Sequence, residues 1–249
     1  MGSLEVCVSS VEEAELAIKC GADSVELCMA PEIGGLTFRA LYEEEIQRLG
    51  ALGEHVRLLI RLRPGSFCYT KEEVDIMCRQ IETIRTLLPR AGFTIGALSP
   101  SGTLDRLALE SLCKAAKDAE LTFHRGIDVL PEPWQYVPQI REMGFKRLLT
   151  SGGASSAVEG TEVLSLMQQA SGDTLTIVAA GGVRAEHIPF IRTKGGLQAF
   201  HGGFRGARDR AESSSARRAP DGSYLDAWWT ESYLDTNLLT EALMAVKAV

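Results

Sequence analysis

The stretch LEVCVSSVEEAELAIKCGADSVELC, residues 4–28, contains two short β-type runs separated by a helical pattern. The runs at 4–8 and 24–29 alternate in polarity, which is typical of strands. Between them, residues 11–20 carry apolar side chains at helical spacing, and Gly21 follows as the left-handed residue that closes a helix. The stretch therefore predicts a strand, a helix and a second strand in immediate succession.

The same unit recurs about eight times along the 249 residues. The predicted strands are 4–8, 24–29, 57–62, 93–98, 121–125, 147–151, 176–180 and 197–201. The predicted helices are 11–20, 40–52, 71–88, 105–118, 133–143, 158–170, 185–193 and 235–247. Eight evenly spaced units in a chain of this length predict an α/β protein, a single-domain TIM-type (β/α)8 barrel spanning residues 1–249.

A doubly wound open sheet is the main rival architecture. It would be expected to have fewer strands, and a dinucleotide or P-loop glycine pattern in its first turn, where Ser9-Ser10-Val11 stands instead. The rhythm of the units breaks at residues 206–229, a long loop rich in Arg, Ser, Asp and Gly. If the loop leaves the barrel mouth, its arginines are either an anion-attracting patch or charges balanced by neighbouring acidic residues.

Composition favours an ordinary soluble globular protein, with 45% hydrophobic and 24% charged residues. No run approaches the ~18 apolar residues of a membrane span and no leader pattern opens the chain, so we expect a cytoplasmic protein without membrane contact. The formal charge of −7 argues against a nucleic-acid partner. The six cysteines form no CxxC pair, and we expect reduced thiols that mostly fill the core.

Polar residues occupy the predicted interior of the first two strands. Because side chains alternate along a strand, Glu5 and Cys7 share one face, as do Glu26 and Cys28. The apolar residues between them take the face that packs on helices, so the carboxylates and thiols should point into the barrel. The same alternation turns Arg61, His124 and His201 inward, with Arg63 following two residues after Arg61.

A barrel interior is normally filled with branched apolar side chains, so these polar groups are costly unless they are paired. One interpretation is a closed buried ion network of Glu5, Glu26 and Arg61. The other is a polar functional site, which the placement of these residues on adjacent strands favours.

Glycines follow the last three predicted strands and indicate an anion site. The candidate residues are Ser151, Gly152, Gly153, Gly181, Gly182, Gly202, Gly203 and Arg205. Glycine lets backbone N–H groups approach an anion, and loops after strands seven and eight often bind phosphate in barrels, although tight turns alone also need glycine. His124 after strand five suits a general base or metal ligand, and Asp128 either caps a helix or orients a neighbour.

The chain resembles the CutC family, proteins named for copper homeostasis, over about residues 4–203. The segments that carry the resemblance are LEVCVSSVEEAELAIKCGADSVELC (4–28), IRLRPGSFCYTKEEVDIM (60–77), GALSPSGTLD (96–105), FHRGID (123–128), RLLTSGGASSAVEG (147–160), AAGG (179–182) and FHGG (200–203). The resemblance implies a (β/α)8-type barrel, a cytoplasmic protein that self-associates, and handling of copper(I). Soft thiolates suit copper(I), and Cys7 and Cys28 are the candidate metal ligands.

Two functions are therefore in view. The first is a copper-binding barrel that uses the two thiols. The second is an enzyme, of lyase or isomerase type, acting on a small phosphorylated or carboxylated molecule, with His124 as acid or base, a carboxylate partner and an arginine-held anion. Its candidate catalytic residues are Glu5, Glu26, Arg61, Arg63, His124, Asp128 and His201. A non-catalytic scaffold is a third reading of the same features.

Overall fold

The computed structural model describes residues 2–209 and 230–248. Eight parallel strands close into a barrel in the order β1 to β8, with β8 pairing back to β1. The strands are β1 Ser3–Val8, β2 Ser24–Leu27, β3 Val56–Leu59, β4 Gly92–Ile95, β5 Leu121–Phe123, β6 Arg147–Thr150, β7 Thr176–Ala179 and β8 Ala199–Gly202. The predicted TIM-type barrel is confirmed.

Helices follow the strands and form the outer layer. They are α1 Val11–Cys20, α2 Glu43–Leu52, α3 Lys71–Leu87, α4 Arg106–Ala116, α5 Val137–Glu142, α6 Thr161–Ala170, α7 Ile188–Gly195 and α8 Thr236–Lys247. Local signals set the bounds of α1, because the Ser10 side chain accepts the amide hydrogen of Glu13 and Gly21 ends the helix at φ 105°. Within the described residues, no helix is long and apolar enough to cross a membrane.

Several predicted elements are shorter in the structure than in the sequence pattern, and two of them change the interpretation. The strand predicted at 57–62 ends at Leu59, so Arg61 lies in the loop between β3 and α3. The helix predicted at 133–143 is a 3-10 turn, Pro133–Tyr136, followed by α5. Val137 has helical backbone, but Pro138 has no amide hydrogen to donate to the carbonyl of Trp134, four residues earlier, so the α-helical hydrogen-bond pattern does not extend back into the 3-10 turn.

The predicted loop at 206–229 begins as a strand. Residues Arg205–Asp209 form β9, which pairs antiparallel with β10, Thr230–Leu234. Residues 210–229 lie outside the described part of the chain. At the base of this ribbon, the Arg205 guanidinium binds both carboxylate oxygens of Glu13 at 2.9 Å, which ties β9 to α1.

The two faces of β1 differ as its alternation predicts. Leu4, Val6 and Val8 are fully buried in the apolar core beneath the helices. The Glu5 side chain contacts residues of β3 and β6, strands that do not adjoin β1, so it must point into the barrel. The strand pattern thus places a carboxylate at the centre of the fold.

Candidate functional site

Glu5 is surrounded by cations inside the barrel. Its carboxylate lies 3.2 Å from an Arg57 nitrogen, 3.1 Å from an Arg147 nitrogen and 3.1 Å from Nδ1 of His201. The Ser24 hydroxyl also donates to it, at 3.0 Å. The Glu5 side chain is wholly buried. These contacts form a closed charge network inside the barrel. We call it the Glu5 network, and its members are Glu5, Ser24, Arg57, Arg147 and His201.

The Glu5 network keeps its carboxylate ionised. Burial alone raises the pKa of Glu5, but the charge of Arg147, the hydrogen bond from His201 and the charge of Arg57 outweigh it and hold the pKa far below its ordinary range. A carboxylate this acidic does not exchange protons near neutral pH. Its role is electrostatic, and its imidazole partner is His201 rather than His124.

Arg61 does not form the ion network with Glu5 and Glu26 that strand alternation predicts as one interpretation. Lying beyond the end of β3, Arg61 donates to the main-chain oxygens of Ile33, Gly35 and Gly65 at 3.0–3.1 Å. Arg57 and Arg147 take its place. The same inward alternation that selects Arg61 also selects Arg57, four residues earlier, but which of the two meets Glu5 depends on height along the barrel.

His201 lies between two carboxylates. Its Nδ1 contacts Glu5, and its Nε2 lies 3.7 Å from a Glu26 oxygen. Burial lowers the pKa of His201, but hydrogen bonds with Cys7 and Glu5 and the charges of Glu26 and Glu5 outweigh burial and raise it to about 10. His201 is therefore an imidazolium at neutral pH.

Glu26 is the less satisfied of the two acids. Its Oε1 is buried and makes no hydrogen bond within the described residues. Burial raises the pKa of Glu26; the charge of His201 opposes this shift and the charge of Glu5 adds to it. The pKa values of the two interior carboxyl groups therefore differ. That of Glu5 is lowered, so Glu5 stays ionised, and that of Glu26 is raised, so Glu26 is more easily protonated.

The raised pKa of His201 predicts a pH dependence of stability. In the unfolded chain a histidine titrates near about 6.5, and in the folded chain His201 titrates at about 10. Its stabilising contribution is full below the unfolded value and is lost as pH rises toward the folded value. We expect the free energy of unfolding, measured with urea between about pH 6.5 and 8.5, to fall more steeply in the wild type than in His201→Gln. Equal slopes would contradict this assignment.

Two thiols meet beside His201. The sulfur atoms of Cys7 and Cys28 are 3.4 Å apart. Cys7, Glu26 and His201 each offer one ligand atom, and these atoms lie within 4.8 Å of one another. The hydrogen bond with Cys28 and burial raise the pKa of Cys7 well above its usual value, so the free thiol is protonated. A bound metal ion would displace that proton, because coordinated thiols ionise.

A cavity of about 1200 Å³ opens above these groups at the C-terminal end of the strands. From the predicted site it is lined by Cys7, Glu26, Cys28, Arg61, His124, Asp128, Gly181, Gly182, His201, Gly202, Gly203 and Arg205. The structure therefore brings most of the predicted residues to one opening. Ser151, Gly152, Gly153, Arg63 and the buried Glu5 are not among the residues that line it.

The loop after β6 binds a carboxylate of the protein itself. The backbone N–H groups of Ser151 and Gly153 donate to Asp128 at 3.0 and 3.2 Å, and the Arg125 guanidinium donates to it at 2.8 Å. The glycine turn expected to bind an external anion is thereby filled. Asp128 joins the loops after β5 and β6, which fits a positioning role.

Arg63 is also engaged elsewhere. Its guanidinium binds the carboxylate of Glu73 at 2.5 and 3.0 Å and the main-chain oxygens of Ser66 and Cys68. Residues beyond the end of β3 no longer follow strand alternation, so two arginines separated by one residue turn in different directions. The Arg61 side chain lines the cavity, whereas the Arg63 side chain packs against the first turn of α3 through Glu73.

His124 lies across the cavity and is neutral. Its Nδ1 accepts the backbone hydrogen of Gly126 at 3.0 Å, and its ring lies 4.7 Å from the ring of Phe67. Burial, more than any other influence, lowers the pKa of His124 to about 4. The two cavity histidines therefore differ in charge at neutral pH, with His201 cationic and His124 neutral, which no feature of the sequence predicted.

Comparison with known proteins identifies relatives along most of the chain. A family model described as the CutC family matches residues 2–206. A protein named CutC from Klebsiella pneumoniae is 39% identical over 78% of this chain and 77% of its own. A CutC protein from Caulobacter vibrioides is 37% identical over 85% of each chain.

Solved structures agree with these sequence matches. One solved structure is that of a protein from Streptococcus agalactiae whose name describes it as a copper homeostasis protein, CutC. It superposes with a TM-score of 0.73 at 26% identity, over 81% of this chain and 98% of that one. Phosphoribosyl anthranilate isomerase from Thermotoga maritima superposes with a TM-score of 0.61 at 13% identity, over 100% of both chains. The second likeness concerns the barrel fold alone.

Proposed function

We propose, from the premise that this chain belongs to the CutC family, that it binds copper(I) through Cys7 and Cys28. The observation that carries the proposal is the pair of sulfur atoms 3.4 Å apart below an open cavity. The name of the Streptococcus agalactiae relative, which refers to copper homeostasis, supports it. A role in copper homeostasis is part of the same proposal.

The chemistry of the donors fits a soft monovalent ion. Copper(I) prefers thiolate ligands, and two thiolates from neighbouring strands would supply them. Two thiolates around one Cu⁺ leave a net charge of −1, and the His201 imidazolium beside Cys7 would offset it. We therefore assign His201 as the charge partner of the site and the two cysteines as its ligands.

An anaerobic titration tests the proposal. The full chain, reduced and free of metal, is titrated with copper(I) against a coloured copper(I) chelator. We expect one tightly bound ion per chain, sulfur ligands in the X-ray absorption spectrum, and the same stoichiometry in His124→Ala, which leaves the thiol pair untouched. A wild-type chain that leaves all copper with the chelator would refute the proposal.

The family resemblance supports two further proposals about the protein in solution. We propose that it is cytoplasmic, and that it self-associates. Light scattering of the purified chain at several concentrations tests the second, since a mass near 27.0 kDa throughout would mean a monomer.

A second candidate function is an enzyme acting on a small phosphorylated or carboxylated molecule. It is favoured by a specific observation, the large polar cavity at the C-terminal end of the strands, where TIM-barrel enzymes hold their active sites. Glu26 lines this cavity, and its Oε1, which has no hydrogen-bond partner among residues 2–209 and 230–248, suits proton transfer. Conversion of a candidate metabolite that is lost in Glu26→Gln would support this function.

A further inference from the structure

We infer that Arg61 and His124 form a pair of hydrogen-bond donors that binds the carboxylate or phosphate group of a small molecule in the cavity. The inference deepens the second candidate function and rests on it. It also changes the role of His124, which the sequence suggested as an acid or base and which here serves as a neutral donor.

Among the described residues, Arg61 is the cavity arginine that has no acidic partner. Of the three arginines in the described ranges that line the cavity, Arg125 is paired with Asp128 at 2.8 Å and Arg205 with Glu13 at 2.9 Å. Arg61 is 6% exposed, it donates to neutral main-chain oxygens and lies beside the Tyr69 hydroxyl, and its Nε makes no hydrogen bond within the described residues. A buried guanidinium without a counter-charge is costly, and an anionic ligand group would remove that cost.

His124 has a fixed tautomer. Since Nδ1 accepts the Gly126 backbone hydrogen, the ring proton of the neutral imidazole is on Nε2. That Nε2 is buried and makes no hydrogen bond in the part of the chain that is described. An imidazole of this kind can donate to a ligand oxygen but cannot accept a proton at Nε2. It therefore polarises or holds an acceptor group, in the manner of an electrophile.

Phe67 places the two donors on one wall of the cavity. Its ring lies 4.9 Å from the Arg61 guanidinium carbon and 4.7 Å from the centre of the His124 ring. Both Arg61 and His124 line the same cavity, so a single ligand group can face both. Two donors that each lie against the same ring call for a ligand group that only accepts hydrogen bonds. Carboxylates and phosphates are such groups, and a charged donor strengthens their binding.

Binding of simple anions tests the donor pair. The full-length chain, labelled with ¹⁵N, is titrated separately with succinate and with inorganic phosphate, and the arginine and histidine side-chain resonances are followed. We expect at least one probe to bind in the millimolar range and to shift the Nε2 resonance of His124, which stays in the neutral Nε2–H form. Binding of succinate or of phosphate shows whether the site takes a carboxylate or a phosphate group.

Variants distinguish the donor pair from a general charge effect. We expect Arg61→Gln to weaken binding by at least about tenfold, His124→Ala to weaken it, and His124→Gln to restore part of the loss by supplying a donor. Arg90→Gln removes one positive charge from an exposed ion pair with Glu54 and should bind as the wild type does. A wild type that binds neither probe overturns the inference, as does equal binding by Arg61→Gln and Arg90→Gln.

The wild-type titration keeps the test decisive even if loss of the Arg61 contacts unfolds the neighbouring loops. Anion binding is measured separately from catalytic turnover. If no turnover is found, the enzyme proposal fails, but the binding measurement still decides whether Arg61 and His124 bind an anion. Copper(I) stoichiometry in Arg61→Gln is expected to match the wild type, because neither proposed ligand is altered.

Discussion

Cys28→Ser is expected to leave the chain without stoichiometric copper(I). A serine hydroxyl is a hard, weak ligand for a soft ion. The substitution therefore removes one of the two proposed thiolate ligands. Residues that merely support metal ligands contribute about 10- to 100-fold in affinity, so loss of a ligand itself should exceed about 100-fold. Competition with a copper(I) chelator measures the change directly. Cys7→Ser should behave in the same way.

Cys113→Ser is the matched control for this prediction. Cys113 lies on α4, is a free thiol of intermediate exposure and does not line the cavity. The substitution is the same, and copper(I) affinity should not change. If the double variant Cys7→Ser/Cys28→Ser still holds one copper(I) per chain, the proposed ligands are wrong.

Glu5→Gln is expected to destabilise the barrel by about 3–5 kcal/mol, the cost of breaking a buried ion pair by removing one partner. The amide keeps the shape of the side chain but removes the charge that Arg57, Arg147 and His201 share. Arg147 then has no acidic partner among the described residues, while Arg57 retains only Glu120 and His201 only Glu26. Urea denaturation near neutral pH measures the free energy of unfolding. Asp75→Asn, which breaks an exposed ion pair with Lys71, should change it little.

The effect of Glu5→Gln should depend on pH in a defined direction. The folded-state pKa of Glu5 is lowered, so its contribution is present above the ordinary glutamate value of about 4.3 and is lost as pH falls below it. The stability gap between wild type and Glu5→Gln should therefore narrow in acid. A gap no larger than that of Asp75→Asn at neutral pH would show that the Glu5 network does not hold the barrel together.

Local patterns in the sequence were enough for the architecture and for the direction of several side chains. Alternation along residues 4–8 places Glu5 and Cys7 inside because the apolar residues between them must pack on helices. Gly21 ends α1 because its left-handed backbone suits a residue without a side chain. These constraints act between residues that are close in the sequence, so they can be predicted from the sequence alone.

The tertiary structure alone decided which groups meet. Whether Arg57 or Arg61 reaches Glu5 depends on the stagger of the strands and on where β3 ends, and stagger is a property of the closed barrel rather than of any one strand. The protonation states of His124 and His201 likewise depend on contacts that form only in the folded chain. Only in the folded chain does His201 lie between two carboxylates, while His124 is buried against Phe67 with its Nδ1 already bound by a backbone amide. Alternation fixes the face of a side chain, whereas its charge depends on neighbours that folding brings from distant parts of the sequence.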